Sequence, residues 1–424
     1  MELHSFFHNA NNGLRSLFPS HLTQELKELY TTTAFLSFAS ASFVLFEPIY
    51  LYTLGYPLWG ILAFYFAIYV GYFFTIPLGG KFIKRYGFEH GMLLGSLFQV
   101  LYYLSLYCIH FSPLFLGVAV IVCILQKTFF WPGFHSDFAM FGRAGERGRE
   151  VGNLAILDSL VVIIGPVFGG VIIGLFGFPV LFVIVSVIVL LSNIPIMMTR
   201  EIFTPSKMKY WDSFKELCKK ENRPYTLGNL GYGEELIVLT VWPIFIYTIL
   251  GSTTAVGSTV AAATLISGLV VLYVGKVIDT SHKKSVLRLG VLFYILAWLF
   301  RLMVGTISGI FLVDFFARTS KQVLSLPILA GLYDHAIRTT HVVRAVVAFE
   351  MSLVLGKILA SGGLLVVFFL FGEQWRLAFG AAALFSLFYL GYGYSASQSN
   401  ALAKTPRPVF SPSSKKAPRS ALSR

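Results

Sequence analysis

Ionisable side chains stand inside otherwise apolar stretches of this sequence, and they are the residues whose types could do chemistry. A charge in the middle of a bilayer costs several kcal/mol, so each needs an opposite charge or a water-filled cavity. Residues of this kind are typical of substrate and proton sites. Acids and bases are nearly balanced, so the sequence does not predict the charge of a substrate. They are Glu47, Asp158, Glu234, Glu235, Asp314 and Glu350 against Lys127, Arg301, Arg318, Lys321 and Lys357.

The spacing of these residues places several on shared helix faces. Asp314, Arg318 and Lys321 follow i, i+4, i+7 spacing, and Glu350 and Lys357 are seven positions apart. Counting residues puts Arg318 and Lys357 near mid-membrane, where pairing and contact with a substrate or coupling ion are both open. We interpret two further sets as one structural ion pair in each half of the chain. These sets are Lys127 with Asp158 and Lys321 with Glu350.

Catalytic chemistry has no recognisable motif here. No glycine–lysine phosphate loop is present, and no His/Cys/Asp cluster has metal-ligand spacing. His135 and Asp137 lie close together, but two residues do not make a site. Cys108, Cys123 and Cys218 have no paired spacing. We therefore expect no enzyme activity, no metal and no cofactor.

Composition indicates which elements must position the charges. The chain has 424 residues, of which 56% are hydrophobic and 12% charged, against about 25% charged residues in soluble domains. A membrane-spanning helix needs about 20 apolar residues. The sequence therefore predicts an all-α integral membrane protein with 12 transmembrane helices in two pseudo-symmetric six-helix bundles. The predicted helices are 30–54, 57–80, 91–110, 112–133, 153–176, 178–198, 225–250, 254–275, 287–305, 307–331, 344–371 and 375–396.

Five segments follow from these helices. Residues 1–29 are a cytoplasmic N-terminal segment, either a surface helix or a flexible tail, and 30–198 form the N-terminal bundle. Residues 199–224 are a cytoplasmic connector, in which Trp211–Leu217 is predicted to be a short amphipathic helix. Residues 225–396 form the C-terminal bundle. The basic cytoplasmic tail, 397–424, is rich in Ser, Pro, Lys and Arg and is predicted to be disordered.

An internal repeat supports the division into two bundles. At one constant offset Gly80 corresponds to Gly275, Lys81 to Lys276 and Ile83 to Ile278. The same offset relates Pro48–Thr53 to Pro243–Thr248 and Pro132 to Pro327. One offset at three separate places indicates two copies of one membrane-embedded unit.

The lysines and arginines predict the orientation. Most of the 33 fall in the tails and in the connectors of one face, whereas the opposite connectors hold Arg376. By the positive-inside rule both termini are cytoplasmic, and a plasma (inner) membrane is the expected location. The net charge of +13 is accounted for by topology and lipid attraction, so no nucleic-acid partner is expected.

The turn after the second predicted helix resembles the signature of the major facilitator superfamily, Gly-x-x-x-Asp-Arg-x-Gly-Arg/Lys. Gly80, Arg85 and Gly87 match, but Lys84 replaces the acid, which the second copy keeps as Asp279. The resemblance implies alternating access between two bundles, and it implies that predicted helices 1, 4, 7 and 10 line a central cavity.

Candidate cavity residues follow from that resemblance. Glu47 lies on predicted helix 1, and Glu234 and Glu235 lie on helix 7 after a run of glycines. We expect at least one of the three to take up a proton. Packing roles are the alternative for the aromatic candidates, which are Phe46, Tyr50, Trp131 and Trp242.

The stretch Gly165-Pro166-Val167-Phe168-Gly169-Gly170 resembles the Gly-Pro-x-x-Gly-Gly signature of drug–proton antiporters within the superfamily, and this favours export. Small residues at this spacing also let helices approach closely, and Gly257 with Ala261 offers a matching seam.

The resemblance also implies a cytoplasmic gate. In the family the acid at position 84 meets the start of helix 11, so Lys84 beside Arg344 predicts one weak latch, unless Glu89 or Glu350 compensates. Asp279 is expected to face helix 5 in the second copy. The gate candidates are Gly80, Lys84, Arg85, Gly87, Gly275, Asp279, Asp158, Lys321 and Glu350.

The sequence thus predicts a monomeric secondary active transporter that moves a small solute by alternating access, is coupled to protons and works in the direction of efflux. The alternatives are proton-coupled uptake of a sugar, peptide or organic ion, and a transport-inactive receptor or scaffold with the same fold. Expected partners are a small-molecule substrate, protons and membrane lipids.

Overall fold

The computed structural model describes residues 24–141, 147–198, 205–278, 283–338 and 342–392, and every regular element in those ranges is a helix. The N-terminal segment before residue 24 and the tail from 393 onward lie outside the described residues, as does Asp279. The all-α fold class predicted from composition is confirmed.

The first half contains seven helices. They are α1 (Gln24–Phe43), α2 (Glu47–Thr53), α3 (Leu58–Tyr86), α4 (Phe88–Cys108), α5 (Leu114–Phe141), α6 (Arg147–Phe176) and α7 (Phe178–Ile196).

A connector helix and the second half follow. The connector helix is α8 (Tyr210–Leu217), which confirms the predicted amphipathic segment. The second half comprises α9 (Arg223–Asn229), α10 (Gly233–Leu239), α11 (Val241–Leu250), α12 (Thr253–Ile278), α13 (Lys283–Arg301), α14 (Ile307–Arg338), α15 (Val342–Phe371) and α16 (Trp375–Leu387).

The chain is a multi-pass integral membrane protein. Eight helical segments in the described ranges are long and apolar enough to cross a bilayer, and Leu160–Phe176 and Trp375–Leu390 are shorter apolar helices. Helices α13 and α14 complete the predicted set of twelve. Their sequences carry Arg301, Asp314, Arg318 and Lys321, and these charges make them less apolar than the other spans.

Two spans are broken where candidate residues stand. The first is interrupted between Phe43 and Glu47, so Glu47 begins α2 with Pro48 after it, where a proline is well tolerated. The seventh consists of α9, a 3₁₀ turn, α10 and α11. Its breaks put Glu234 and Glu235 in the first turn of α10. The acids therefore lie at irregular points of the backbone, a feature that membrane proteins tolerate only inside protein or beside a cavity.

The two halves pack alike. In the first half α4 contacts α5 and α7, α3 contacts α5, and α1 contacts α6. In the second half α13 contacts α14 and α16, α12 contacts α14, and α10 contacts α15. These are corresponding helices of the two copies, so the structure has the pseudo-symmetry that the repeat predicts.

Two seams join the halves, one between α3 and α15 and one between α6 and α12. At the α6–α12 seam a Cβ on Gly257 would lie 2.1 Å from the carbonyl oxygen of Pro166, and one on Gly170 would lie 2.6 Å from that of Thr253. Gly165 and Gly169 meet α1 instead, since a Cβ on Gly169 would lie 2.0 Å from the carbonyl oxygen of Ser42. The motif from Gly165 to Gly170 therefore serves close packing on both sides of α6.

The glycines at the end of α3 are also required by backbone conformation and close packing. Gly87 has φ of 111°, a backbone conformation that L side chains rarely adopt, and it separates α3 from α4. A Cβ on Gly80 would lie 2.8 Å from a methyl group of Val347 on α15. We call the end of the bundle where α3 ends and α15 begins the basic end, since Lys84, Arg85 and Arg344 lie there.

Candidate functional site

A partly exposed ion pair lies where the two bundles meet. Lys357 Nζ of α15 is 2.8 Å from Glu235 Oε2 of α10, and the Glu235 side chain is 34% exposed. Two ammonium groups lie near the ring of Tyr69, on α3: Lys357 Nζ is 5.4 Å from its centroid and Lys127 Nζ is 5.8 Å from it. Lys127 belongs to α5, so bases from both bundles share one aromatic ring. Together these groups present both signs of charge where α3, α5, α10 and α15 meet.

Glu47 is held by hydroxyl groups. Tyr102 donates to its Oε1 over 2.5 Å and Tyr65 donates to the same oxygen over 2.9 Å. The residue is 7% exposed. Among the ion pairs of the described chain, none within 4.0 Å includes Glu47 or Lys127. Glu47 is therefore a buried carboxyl group whose hydrogen-bond donors are neutral, with the Lys127 ammonium in electrostatic range.

Glu234 is fully buried and has a cationic partner. Its Oε1 accepts from Lys321 Nζ and, over 2.9 Å, from the Tyr389 hydroxyl. Its Oε2 accepts from the Tyr294 hydroxyl. The Lys321 ammonium also lies over the rings of Tyr294 and Tyr389, at 5.4 and 4.4 Å from their centroids. Lys321 thus pairs with Glu234, and the predicted pairing of Lys321 with Glu350 does not occur in the structure.

Asp314 organises a second buried cluster. Its Oδ2 accepts from Arg318 Nε over 2.6 Å, and its Oδ1 accepts from Arg301 Nη2 over 3.2 Å and from the Trp242 indole over 3.0 Å. The Arg301 guanidinium is 4.1 Å from the ring centroids of both Trp242 and Trp298. Because Asp314 and Arg301 are each 2% exposed while Arg318 is 25% exposed, this cluster is mainly a packing element of the second half.

Glu350 bridges the two bundles. His135 Nε2 on α5 is 3.1 Å from Glu350 Oε1 on α15, and the Tyr72 hydroxyl on α3 donates to Oε2 over 3.1 Å. The His135 ring stacks on Trp131 with centroids 5.5 Å apart. The sequence analysis included Glu350 among the gate residues, but it did not identify His135 and Tyr72 as its partners.

Lys84, which stands where the signature of the major facilitator superfamily has an acid, lies near an acid of the connector. Arg344 Nη2 is 3.0 Å from Asp212 Oδ2 on α8, and Lys84 lies within electrostatic range of both. The backbone N–H of Ser206 also donates to the carbonyl oxygen of Lys84 over 2.8 Å. The connector thus supplies an acid, Asp212, that faces these two bases. Compensation by Glu89 stays a prediction.

The remaining candidates are packed or not described. Tyr50 donates from its hydroxyl to the backbone oxygen of Leu106 and packs against Phe182. Trp131 stacks on His135, and Arg85 lies over the ring of Tyr86. Gly275 belongs to α12. The side chain of Asp158 lies outside the described residues, so its predicted pairing with Lys127 stays a prediction.

Most of the site residues that the sequence did not indicate are tyrosines, and one lies in the connector. With aromatic residues at 16% of the chain, no single tyrosine stands out in the sequence. His135 was noted, but its partner lies far along the chain. The residues concerned are Tyr65, Tyr69, Tyr72, Tyr102, Tyr294, Tyr389, His135 and Asp212.

Among the described residues, no group of three or more His, Cys, Asp or Glu side chains is arranged to hold a metal ion. The expectation that no cofactor is bound stays a prediction.

Solved structures with the same fold are transporters. A POT family transporter in complex with 5-aminolevulinic acid is 13% identical, with a TM-score of 0.64, and the match covers 87% of this chain and 96% of that one. A peptide transporter POT mutant in complex with alafosfalin is 14% identical, with a TM-score of 0.65, and the match covers 92% and 98%. A structure described under substrate recognition in proton dependent oligopeptide transporters is 11% identical, with a TM-score of 0.64, covering 89% and 100%.

No family model matches the chain, and no curated protein matches it. At such identities the likeness shows the fold alone. The chain has the fold of major facilitator transporters, two six-helix bundles joined by a connector.

Proposed function

We propose that this protein is a secondary transporter that moves a small solute across the membrane by alternating access, coupled to protons. The observation that carries the proposal is the Glu235–Lys357 pair. It lies at the junction of the bundles, and its carboxylate is 34% exposed, in contrast to the 0–2% exposure of Glu234 and Asp314. A partly solvated pair in the second bundle that faces Tyr69 of the first is suited to exchanging its internal partner for a ligand.

The solute that fits this pair best is a small zwitterion, such as a short peptide or an amino-acid-like compound. Its ammonium group would meet Glu235 and its carboxylate would meet Lys357 or Lys127, whose ammonium groups flank the Tyr69 ring. The structural neighbours include peptide transporters, which supports the same class. Export is the second candidate, favoured by the resemblance of Gly165–Gly170 to the antiporter signature.

Glu47 is the residue that we propose as the coupling proton site. The direct partners of this buried carboxylate are hydroxyl groups, and the Lys127 ammonium lies in electrostatic range but not within 4.0 Å. Glu47 therefore has less charge compensation than Glu234, Glu235 and Asp314, each of which contacts Lys or Arg directly. Taking up a proton removes that cost. Gln at this position keeps the shape and removes titration.

The test is solute-driven proton flux in proteoliposomes that contain a pH-sensitive dye, screened with dipeptides, amino acids, sugars and amphipathic cations. We expect zwitterions to move protons, and we expect Lys357→Gln to abolish the flux. Lys219→Gln is the matched control, because Lys219 forms an exposed ion pair with Glu216 in the connector.

Three outcomes separate the candidates. Flux with zwitterions in the direction of uptake supports the first proposal, and flux with amphipathic compounds in the outward direction supports export. If no compound moves protons while the protein is monodisperse and folded, transport is wrong and a receptor or scaffold role takes its place.

A further inference from the structure

We propose that His135 and Glu350 together form a second proton-binding site, which joins the two bundles at the basic end and closes that end when it is protonated. The proposal rests on the proposed proton-coupled transport and adds a site to it.

The geometry puts a titratable pair across the seam. His135 belongs to the first half and Glu350 to the second, and their nearest atoms are 3.1 Å apart. Side-chain exposure is 16% for His135 and 5% for Glu350. On the same side of the seam as His135, Tyr72 donates to the second oxygen of Glu350. Glu350 therefore takes both of these hydrogen bonds from the opposite bundle.

The pair offers one defined atom for an additional proton. His135 Nδ1 is buried with no hydrogen-bond partner in the described structure. With a neutral imidazole, Nε2–H donates to a carboxylate and the pair carries a buried charge of −1. One proton on Nδ1 makes the pair a neutral imidazolium–carboxylate contact with a charge-assisted hydrogen bond. Imidazole is the side chain that changes charge between about pH 5 and pH 8.

Other charges near the seam are already engaged or screened from the pair. Lys357 is within electrostatic range of Glu350 but is paired with Glu235 at 2.8 Å. Arg344 is paired with Asp212. Asp137 is buried two positions after His135, which directs it to a different face of α5. The titratable groups with an electrostatic interaction with Glu350 are Tyr72 on α3, Tyr232 before α10 and Lys357 on α15.

Proton uptake at this pair has a direct mechanical consequence. Since the bond spans the two halves, any state in which the basic end separates must break it. Protonation turns a hydrogen bond from a neutral imidazole to a carboxylate into an ion pair between imidazolium and carboxylate. The stronger bond shifts the population toward the closed basic end. One linked proton changes the closed-to-open ratio by at most tenfold per pH unit.

The test measures the distance between the halves at the basic end. Spin labels at Lys81→Cys on α3 and Ser285→Cys on α13, both exposed positions, report the separation by double electron–electron resonance. Cys108, Cys123 and Cys218 are replaced by serine. Between pH 8 and pH 5 we expect the closed-to-open ratio to rise at least tenfold in the otherwise native protein.

Variants assign the response to the pair. His135→Gln and Glu350→Gln should both lose the pH dependence. Tyr72→Phe, which removes a hydrogen bond across the same seam but no titrating group, should keep it. A ratio that does not change with pH in the native protein, or one that changes equally in His135→Gln, overturns the proposal.

A second measurement needs no change at the pair. The Trp131 and His135 rings are stacked, with an interplanar angle of 21°, and a protonated imidazole quenches an adjacent indole. Tryptophan emission should fall on acidification, and Trp131→Phe should remove the pH-dependent part. Emission that does not depend on pH would contradict proton binding at His135.

The two proposals fail separately. If proton-driven transport occurs and the distances do not respond to pH, the second site is wrong and the transport function stands. If the distances respond and no solute moves protons, the proton site stands and the transport function is wrong.

Discussion

Replacing Asp314 by asparagine tests whether the buried cluster of the second half is assembled around one carboxylate. Asp314 accepts three hydrogen bonds, from Arg301, Arg318 and Trp242. Asn keeps the shape and one acceptor oxygen but removes the charge. The variant therefore leaves the Arg301 guanidinium, 2% exposed, without its anion.

The expected loss of stability is about 3–5 kcal/mol, the usual cost of removing one partner of a buried ion pair. Arg318 contributes little to this figure because its side chain is 25% exposed and water replaces part of the interaction. The Trp242 hydrogen bond is expected to survive on the remaining oxygen. Most of the loss is therefore assigned to Arg301.

The assay is unfolding by sodium dodecyl sulfate in mild detergent, followed by tryptophan fluorescence. Asp212→Asn is the matched control. It removes the same charge from an ion pair with Arg344 whose side chains are 18% and 26% exposed, and it should cost less than about 1 kcal/mol. Arg301→Met added to Asp314→Asn should recover stability, since no unpaired buried cation remains. If Asp314→Asn is no less stable than Asp212→Asn, the buried Arg301 guanidinium does not depend on Asp314.

Three further predictions concern packing, gating and topology. Gly169→Ala should lower the free energy of unfolding by about 1–3 kcal/mol, because its Cβ would lie 2.0 Å from a backbone oxygen. Gly363→Ala is the control, because a Cβ there would have nothing within 4 Å and should not destabilise the protein. The same unfolding assay compares the two variants, and equal stabilities would contradict the close α1–α6 contact. Lys84→Asp should shift the resting protein toward a closed basic end, and Asp279→Asn should shift it toward an open one. A bias of about 1.4 kcal/mol would change the ratio of the two states tenfold. The shift is measured as the alkylation rate of cysteines at the ends of α2 and α11 that lie away from the basic end, and unchanged rates in both variants would limit these turns to folding and topology. Cysteines at Lys209 in the connector and at Ser413, which lies outside the described residues, should be shielded from impermeant thiol reagents in intact cells, and labelling from outside would overturn the cytoplasmic assignment.

The helices could be predicted because a bilayer fixes their length and apolarity. The positions of the breaks were less accessible. Pro48 shows that a helix can begin near Glu47, but the turn before it depends on packing. The glycines before Glu234 indicated a loosened seventh span, and the structure resolves it into separate pieces.

The partners of the charges could not be predicted because they lie far apart in the chain. Counting residues put Lys321 and Glu350 at comparable depths, yet Lys321 meets Glu234 and Glu350 meets His135. Depth restricts which residues can meet, but the rotation of each helix about its own axis decides which ones do. The tyrosine donors around Glu47 and Glu234 depend on the same rotations.

The connector shows the same limit at the basic end. Its amphipathic pattern predicted a helix, and α8 is present. Nothing in the pattern indicated that Asp212 would face Arg344 or that Tyr210 would donate to the backbone oxygen of Phe74. The expectation of a weak cytoplasmic contact at Lys84 therefore did not include Asp212, because this acid reaches the two bases through the packing of α8.

Proton coupling can be measured as uphill accumulation of solute in proteoliposomes under an imposed pH gradient. We expect the native protein to concentrate a zwitterion identified in the proton-flux screen, and we expect a protonophore to abolish this accumulation. We expect Glu47→Gln to keep exchange of labelled for unlabelled solute across the membrane and to lose accumulation. Accumulation by Glu47→Gln equal to that of the native protein would contradict Glu47 as the coupling site, and accumulation that persists with the protonophore would contradict proton coupling itself.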